Sequence, residues 1–191
     1  TAALDRGRLV QLMVGRQIAV RQAGSTTAVG EPILQVEGLA SPGKFGKVSF
    51  EVRAGEIVGM AGLVGAGRTE LLQALFGLDP NARGSVVVDG RAVGLRHPAS
   101  AMASGLGLAP EDRKRHGLVL GMAAGANLTL PTLRRFARLG WVRRAAERRA
   151  AAQQVAKLGI RPPRLDTPAA ALSGGNQQKL VLGKWMAAHC R

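Results

Sequence analysis

The chain has 191 residues and no tyrosine, and aromatic residues make up only 3% of it. A core built on ring packing is therefore excluded, and alanine, valine and leucine must supply most of the 46% hydrophobic content. The shortage of rings also leaves little with which to stack unpaired bases. The single cysteine, Cys190, excludes an internal disulfide framework and suits a reducing compartment. No apolar run approaches the ~20 residues that a membrane-spanning helix needs, and the N-terminus carries no signal-peptide pattern. Acidic residues are scarce: 12 Asp and Glu stand against 27 Lys and Arg, a formal net charge of +15. That balance suits an acidic partner such as a nucleotide, a nucleic acid or an anionic surface. Much of the excess is arginine in residues 134–149, which reads as a solvated basic helix face.

Residues 1–16 place Leu4, Leu9, Leu12 and Met13 on one side at helical spacing. Residues 17–30, centred on Gly24-Ser25-Thr26-Thr27, lack periodicity and read as a linker. The first helix is then the tail of a preceding unit; an N-terminal helix of the same domain is the alternative. Residues 33–39 and 48–52 alternate as half-buried strands do, with a turn at Ala54-Gly55. Residues 57–61 are continuously apolar, as in a buried parallel strand. Residues 70–76 predict a helix with Leu71, Leu72, Leu75 and Phe76 on one face, ended by Gly77 and Pro80. Asp89-Gly90 predicts a hairpin within residues 83–93. A short helix at 98–104, with Pro98 in its first turn, and a short strand at 105–110 follow. Residues 132–140 and 142–158 read as two helices. Val155 and Leu158 mark the buried side of the second, Gly159 caps it, and Pro162-Pro163 prevents continuation.

Two stretches carry chemistry. Gly62-Leu63-Val64-Gly65-Ala66-Gly67-Arg68-Thr69 lies between a strand pattern and a helix pattern. It keeps both glycines and the threonine of the phosphate-binding loop G-x-x-x-x-G-K-[ST], with Arg68 in place of lysine. Loop amides can cradle phosphate oxygens without that side chain, and Thr69 can offer a hydroxyl to magnesium. A guanidinium is wider and less pliable than an ammonium, so weakened binding and poor hydrolysis are expected there; a purely structural turn is the alternative. The second stretch, Leu172-Ser173-Gly174-Gly175-Asn176-Gln177-Gln178-Lys179, reads as a helix start. Ser173 can cap it, Gly174 and Gly175 admit close approach, and the first-turn amides favour an anion. A Ser-capped helix after a glycine turn, with no ligand, reads equally well from these features.

LSGG followed by Gln177-Gln178-Lys179 resembles the signature motif of ATP-binding-cassette (ABC) ATPases, and the form LSGGNQQK resembles those that serve sugar import. GLVGAGRTELL resembles the altered phosphate loop of their second nucleotide-binding half, and PEDRK at residues 110–114 resembles a segment of that same half. Ser173 lies 104 residues beyond Thr69, a separation similar to that between the two motifs in the family. The resemblance implies an α/β P-loop NTPase fold of ABC type: a mixed sheet, an antiparallel β subdomain and a helical subdomain at about 111–172 bearing the signature. Residues 31–191 would be part of one nucleotide-binding domain, and 1–16 the tail of a preceding half.

The resemblance also implies ATP and Mg2+ as cofactors. Gly62, Gly65, Ala66, Gly67, Arg68 and Thr69 would cradle phosphates in one site, with Thr69 on the metal. Ser173, Gly174, Gly175 and Gln177 would complete the site on a partner ATPase half. Glu111 stands where the family places a glutamine that senses magnesium, water and the transporter, with a charged surface loop as the alternative. Phe45, 23 residues before Arg68, is the candidate to stack on adenine, with a plain core phenylalanine as the alternative. Further implied partners are membrane permease subunits and, indirectly, a periplasmic or extracellular sugar-binding protein, with the chain on the cytoplasmic face of the membrane. The apolar strand ending in Asp-Glu and the switch histidine that follow the signature in the family have no counterpart in this sequence, so apolar surface on the remaining strands is expected to be exposed. His116 has no partner that would make it catalytic, and His189 matches no motif.

Rivals of other classes are a basic nucleic-acid-binding module using residues 134–149, against which the absence of a recognition motif counts, and a non-catalytic scaffold that binds a partner ATPase.

Overall fold

The structure is a computed structural model and describes residues 30–190. The expected N-terminal helix at 1–16 and all of the linker but Gly30 lie outside that range.

Strand β1 (Pro32–Ser41) is the middle of the chain's first layer. It pairs antiparallel with β2 (Phe45–Arg53) on one side and β3 (Arg83–Val88) on the other, and β3 pairs with β4 (Arg91–Ala92). Val36 sits opposite both Phe50 and Val86, so the alternating apolar positions of neighbouring strands stack on one face. The β3–β4 turn carries φ 48° at Asp89 and 73° at Gly90. Both central residues of this tight turn need positive φ, which is why Asp-Gly sits there. Helix α1 (Arg68–Leu75) closes that face: Leu71, Ala74 and Leu75 pack with Val36, Leu39, Val86 and Val88 in a first core. The chain then turns at Gly77, whose φ is 78° and where an added Cβ would lie 2.8 Å from the His97 backbone. Helix α2 (Pro98–Ala103) buries Ala101 against the same core.

A second core is helical. It is formed by α3 (Ala124–Thr129), α5 (Arg144–Leu158) and α6 (Gly174–Ala187), with Leu128, Val155, Leu180 and Val181 at its centre; a short helix, α4 (Leu133–Phe136), lies between α3 and α5. Burying each such side chain contributes roughly 1.5–3 kcal/mol. Gly183 lets α6 approach its neighbours: an added Cβ would lie 2.6 Å from Leu158 and 2.7 Å from Leu128. Two buried polar side chains of this core, Asn127 and Glu147, find partners, as burial demands. Asn127 accepts from the Val119 amide and donates to the Val119 carbonyl, and Glu147 accepts from Thr129 Oγ1 at 2.9 Å and from Arg144 at 3.2 Å. Gly159 ends α5 with φ 58°.

Three expectations are corrected. Residues 57–61 are not a buried strand: Ile57 is 96% exposed and Val58 40%. Residues 105–110 form no strand either. Parallel strands exist only beside hydrogen-bonded partners, and among the described residues none flanks either segment; the four-stranded sheet is wholly antiparallel, as expected of the antiparallel β subdomain. The apolar exposure expected of such strands is present. Third, residues 132–140 are not one helix. After α4 a small hairpin, β5 (Ala137–Arg138) with β6 (Trp141–Val142), turns through Leu139 and Gly140 at φ 51° and 81°. Helix α4 buries none of its residues, so no packed face extends it. The arginines of 134–149 are therefore spread over a helix, a hairpin and α5 instead of forming one basic face.

Candidate functional site: two helix starts and the loop between them

Helix α1 begins on glycine geometry alone. Gly65 and Gly67 have φ 84° and 78°, Gly67 is the N-cap, and no side chain caps the helix. Ala66 closes the turn by donating to the Leu63 carbonyl at 3.1 Å. Left-handed glycines next to unsatisfied first-turn amides make a concavity that suits an anion. Beneath it lies the turn at Lys44 and Phe45: a Cβ added to Gly67 would stand 3.0 Å from the Lys44 carbonyl and from Phe45 Cβ. Phe45 itself is half-buried and packs on the first core.

Asp79 fastens that turn. Its carboxylate, 2% exposed, accepts from Lys44 Nζ at 2.9 Å, Ser41 Oγ at 2.8 Å and the Asn81 amide at 3.0 Å. The Lys44 and Ser41 hydrogen bonds hold this carboxyl below the usual carboxylate range, against the opposing effect of burial. Sequence reading missed Asp79, because nothing local marks an aspartate that pairs with a lysine 35 residues away.

Arg68 and Thr69 are exposed, and the Arg68 stem folds back along the loop: its Cδ is 3.8 Å from where a Gly62 Cβ would be. Both residues line a cleft of about 890 Å³, together with Val58, Leu108, Glu111 and Trp185. Leu72, expected on one helix face with Leu71, Leu75 and Phe76, is 42% exposed and faces this cleft. Thr69 and Glu111 thus line the same cleft, offering a hydroxyl and a carboxylate. Mg2+ bound mainly through phosphates and waters asks little more of a protein. No cluster of three metal-ligating side chains occurs among the described residues. After Glu111, Asp112 caps a single π turn (Arg113–Gly117), accepting from the Arg115 and Lys114 amides at 3.1 Å. Those bonds, the Arg115 one foremost, lower its pKa. His116 is exposed and lines the cleft, with no hydrogen-bonded base or nucleophile among the described residues.

Helix α6 begins differently. Ser173 is its N-cap, and Ser173 Oγ accepts from the Asn176 amide at 3.4 Å and from Asn176 Nδ2 at 3.0 Å. Asn176 is itself bound to Arg161, donating to its carbonyl at 2.7 Å and accepting from its amide at 3.1 Å. Lys179 Nζ donates to the Gly159 carbonyl at 2.8 Å. Gln177, expected among the ligand contacts, is turned away from the helix start: it is 3% exposed and donates to the Ala169 carbonyl at 3.0 Å. Its amide secures the preceding turn, the kind of role that spacing does not reveal. Gly174 lies under the Arg113 guanidinium, while Gly175 faces open space. Gly67 and Ser173 are thus the caps of two anion-favouring helix starts, and residues 173–175 do not line the cleft that holds Thr69.

The model of the ABC transporter family matches residues 45–191. The chain belongs to the ABC transporter family. Curated relatives agree. A ribose import ATP-binding protein of Streptomyces avermitilis is 50% identical over 187 residues, 98% of this chain and 36% of that protein. Counterparts in Streptomyces coelicolor and Geobacillus kaustophilus are 48% and 46% identical, over 100% and 96% of this chain and 37% of each relative. The chain thus spans little more than a third of the length of the relatives it matches. Among solved structures, a nucleotide-free ATP-binding cassette from an ABC transporter superposes with a TM-score of 0.66 at 19% identity, covering 84% of this chain and 66% of that one. A dimeric cassette bound to ADP and phosphate gives 0.62 at 18% identity, covering 82% and 70%. These likenesses establish the fold: the described residues have the antiparallel sheet and helical cluster that superpose on an ABC cassette.

Proposed function

We propose that this chain is part of the second nucleotide-binding half of a sugar-import ABC ATPase, and that its two helix starts serve two different nucleotides. The observation that carries the reading is LSGGNQQK at the start of a capped, 14-residue helix, in a chain half identical to a ribose import ATP-binding protein. In this reading Gly62, Gly65, Ala66, Gly67, Arg68 and Thr69 hold the phosphates of one ATP, Thr69 and Glu111 face its Mg2+, and Phe45 stands toward the adenine. Ser173, Gly174 and Gly175 close over an ATP on the partner half. The separation of residues 173–175 from the Thr69 cleft supports such a division, since each ATP then needs two halves. Residues 31–191 form part of this domain, with residues 1–16 as the end of the first half and 17–30 as the connection.

Closure of the halves on ATP drives paired permease subunits that import a monosaccharide delivered by a sugar-binding protein, with the ATPase on the cytoplasmic face of the membrane. Mg2+ supplies charge neutralisation at the phosphates. This chain's own residues bind, orient and exclude water. Arg68 places a broad planar cation where the family usually has a lysine, so the loop at α1 is a holding site more than a hydrolytic one.

The test is association. Titrating this chain against a lysine-bearing first half with ATP should give a complex that Ser173→Ala weakens severalfold and that ADP does not support. Association unaffected by nucleotide would leave a scaffold as the better reading. By itself the chain is expected to bind ATP without steady turnover. Sustained phosphate release that Gly174→Asp abolishes would contradict this.

A further inference from the structure

The segment that carries Glu111 is fastened to helix α6 at three points. Trp185 Nε1 donates to the Leu108 carbonyl at 2.7 Å. Lys184 Nζ donates to the Gly117 carbonyl at 2.6 Å and stands 5.1 Å from the centre of the Trp185 ring. Arg113 lies across the start of α6: a Cβ added to Gly174 would be 2.8 Å from its guanidinium Nη2. Side-chain packing supports the same contact, since a Cβ at Gly117 would lie 3.0 Å from Val181 Cγ2. Glu111 is held between the Leu108 and Arg113 attachments.

Two of these fasteners are cations without a carboxylate partner among the described residues. Burial lowers the pKa of Lys184, whose recorded acceptor is a backbone carbonyl. Arg113 Nε is buried and has no hydrogen-bond partner. Asp112, the neighbouring acid, is committed to the Lys114 and Arg115 amides. Arg113 also faces the positive end of the α6 dipole, where a cation is disfavoured. The contact is therefore electrostatically incomplete, and negative charge arriving at Ser173–Gly175 would complete it.

We propose that Arg113 and Lys184 clamp the Glu111 loop to the signature helix, so that an anion at the start of α6 sets the position of Glu111. This rests on the nucleotide reading above and names the route by which a phosphate at one site reaches the loop that faces the other. Arg113 and Lys184 act as positioning residues. The closeness of α6 and the 108–117 segment supplies a rigid path, and a guanidinium with a buried, unpartnered Nε and, among the described residues, no carboxylate beside it makes its tightness depend on the ligand.

The experiment is amide hydrogen exchange on the whole polypeptide that carries residues 30–190, with and without a non-hydrolysable ATP analogue. In the wild type the analogue should slow exchange over 108–117 by about threefold or more, the mark of a locally stabilised segment. Arg113→Gln should abolish that slowing while residues 173–177 remain protected. Lys184→Met should abolish it at 115–117, and it decides the matter if Arg113→Gln does not fold. A purely structural Arg113 would alter exchange equally with and without analogue. Wild-type slowing over 108–117 in both variants overturns the clamp. If the analogue protects neither 62–69 nor 173–177 in the wild type, the nucleotide reading fails and the clamp falls with it.

Discussion

Helices α1 and α6 both begin where an anion is favoured, yet they are built in opposite ways. The start of α1 has no side-chain cap. Its shape comes from the positive φ of Gly65 and Gly67 and from the Lys44–Phe45 turn pressed beneath it, which Asp79 secures. The start of α6 is held by side chains: Ser173, Asn176, Gln177 and Lys179 make hydrogen bonds within the turn and to loops that precede it. The first design concentrates its requirement on single glycines, where any Cβ changes the backbone. The second distributes it over several hydrogen bonds, each worth about 0.5–1.5 kcal/mol net, so no one of them is decisive.

The sharpest way to break this contrast is Gly67→Val. A β-branched residue at φ 78° meets the Lys44 carbonyl and Phe45 Cβ, and the left-handed backbone alone costs roughly 1–2 kcal/mol. Affinity for a fluorescent ATP analogue should fall more than about tenfold, that is by more than ~1.4 kcal/mol. An unchanged affinity would show that the loop shape is dispensable. A smaller effect is expected from Ser173→Ala, about 1 kcal/mol of stability by denaturant unfolding, because Asn176, Gln177 and Lys179 keep the helix start in place. A loss well beyond that would mean α6 depends on its cap as heavily as α1 depends on its glycines.

The gentlest test is pH. The Asp79 carboxyl has its pKa lowered in the folded chain, chiefly by Lys44. Its contribution is therefore present above the unfolded-state pKa and is lost as pH falls through the lower folded value. Asp79→Asn should flatten the acid limb of a stability–pH curve and reduce its plateau near neutrality. A curve of unchanged shape would remove Asp79 from the support of the α1 loop.

Much of this was readable in advance where the physics is local. The β1–β2 alternation, the Asp89-Gly90 turn, the Gly159 cap and both anion-favouring helix starts follow from periodicity, left-handed glycines and capping chemistry. Residues 57–61 and 105–110 were misread because a parallel strand depends on neighbours, not on its own composition. The hairpin at 137–142 was hidden by arginine and alanine, good helix formers that here flank a left-handed Leu139-Gly140 turn. Within the site, Gln177 looked like a ligand because of its motif, and its burial against Ala169 appears only when the preceding turn is in place.

By itself, the sequence determined the Asp89-Gly90 turn, the Gly159 cap and which helix starts bear glycines and a hydroxyl, since those depend on each residue's own sterics and on neighbours within four positions. Tertiary structure alone decided that Asp79 would support the α1 loop, that Leu72 would face a cleft, and that Arg113 and Lys184 would bind the Glu111 loop to α6. Those contacts join residues 35 to 67 positions apart. They exist because two separately packed cores bring distant segments together, and no local pattern records which partners that packing selects.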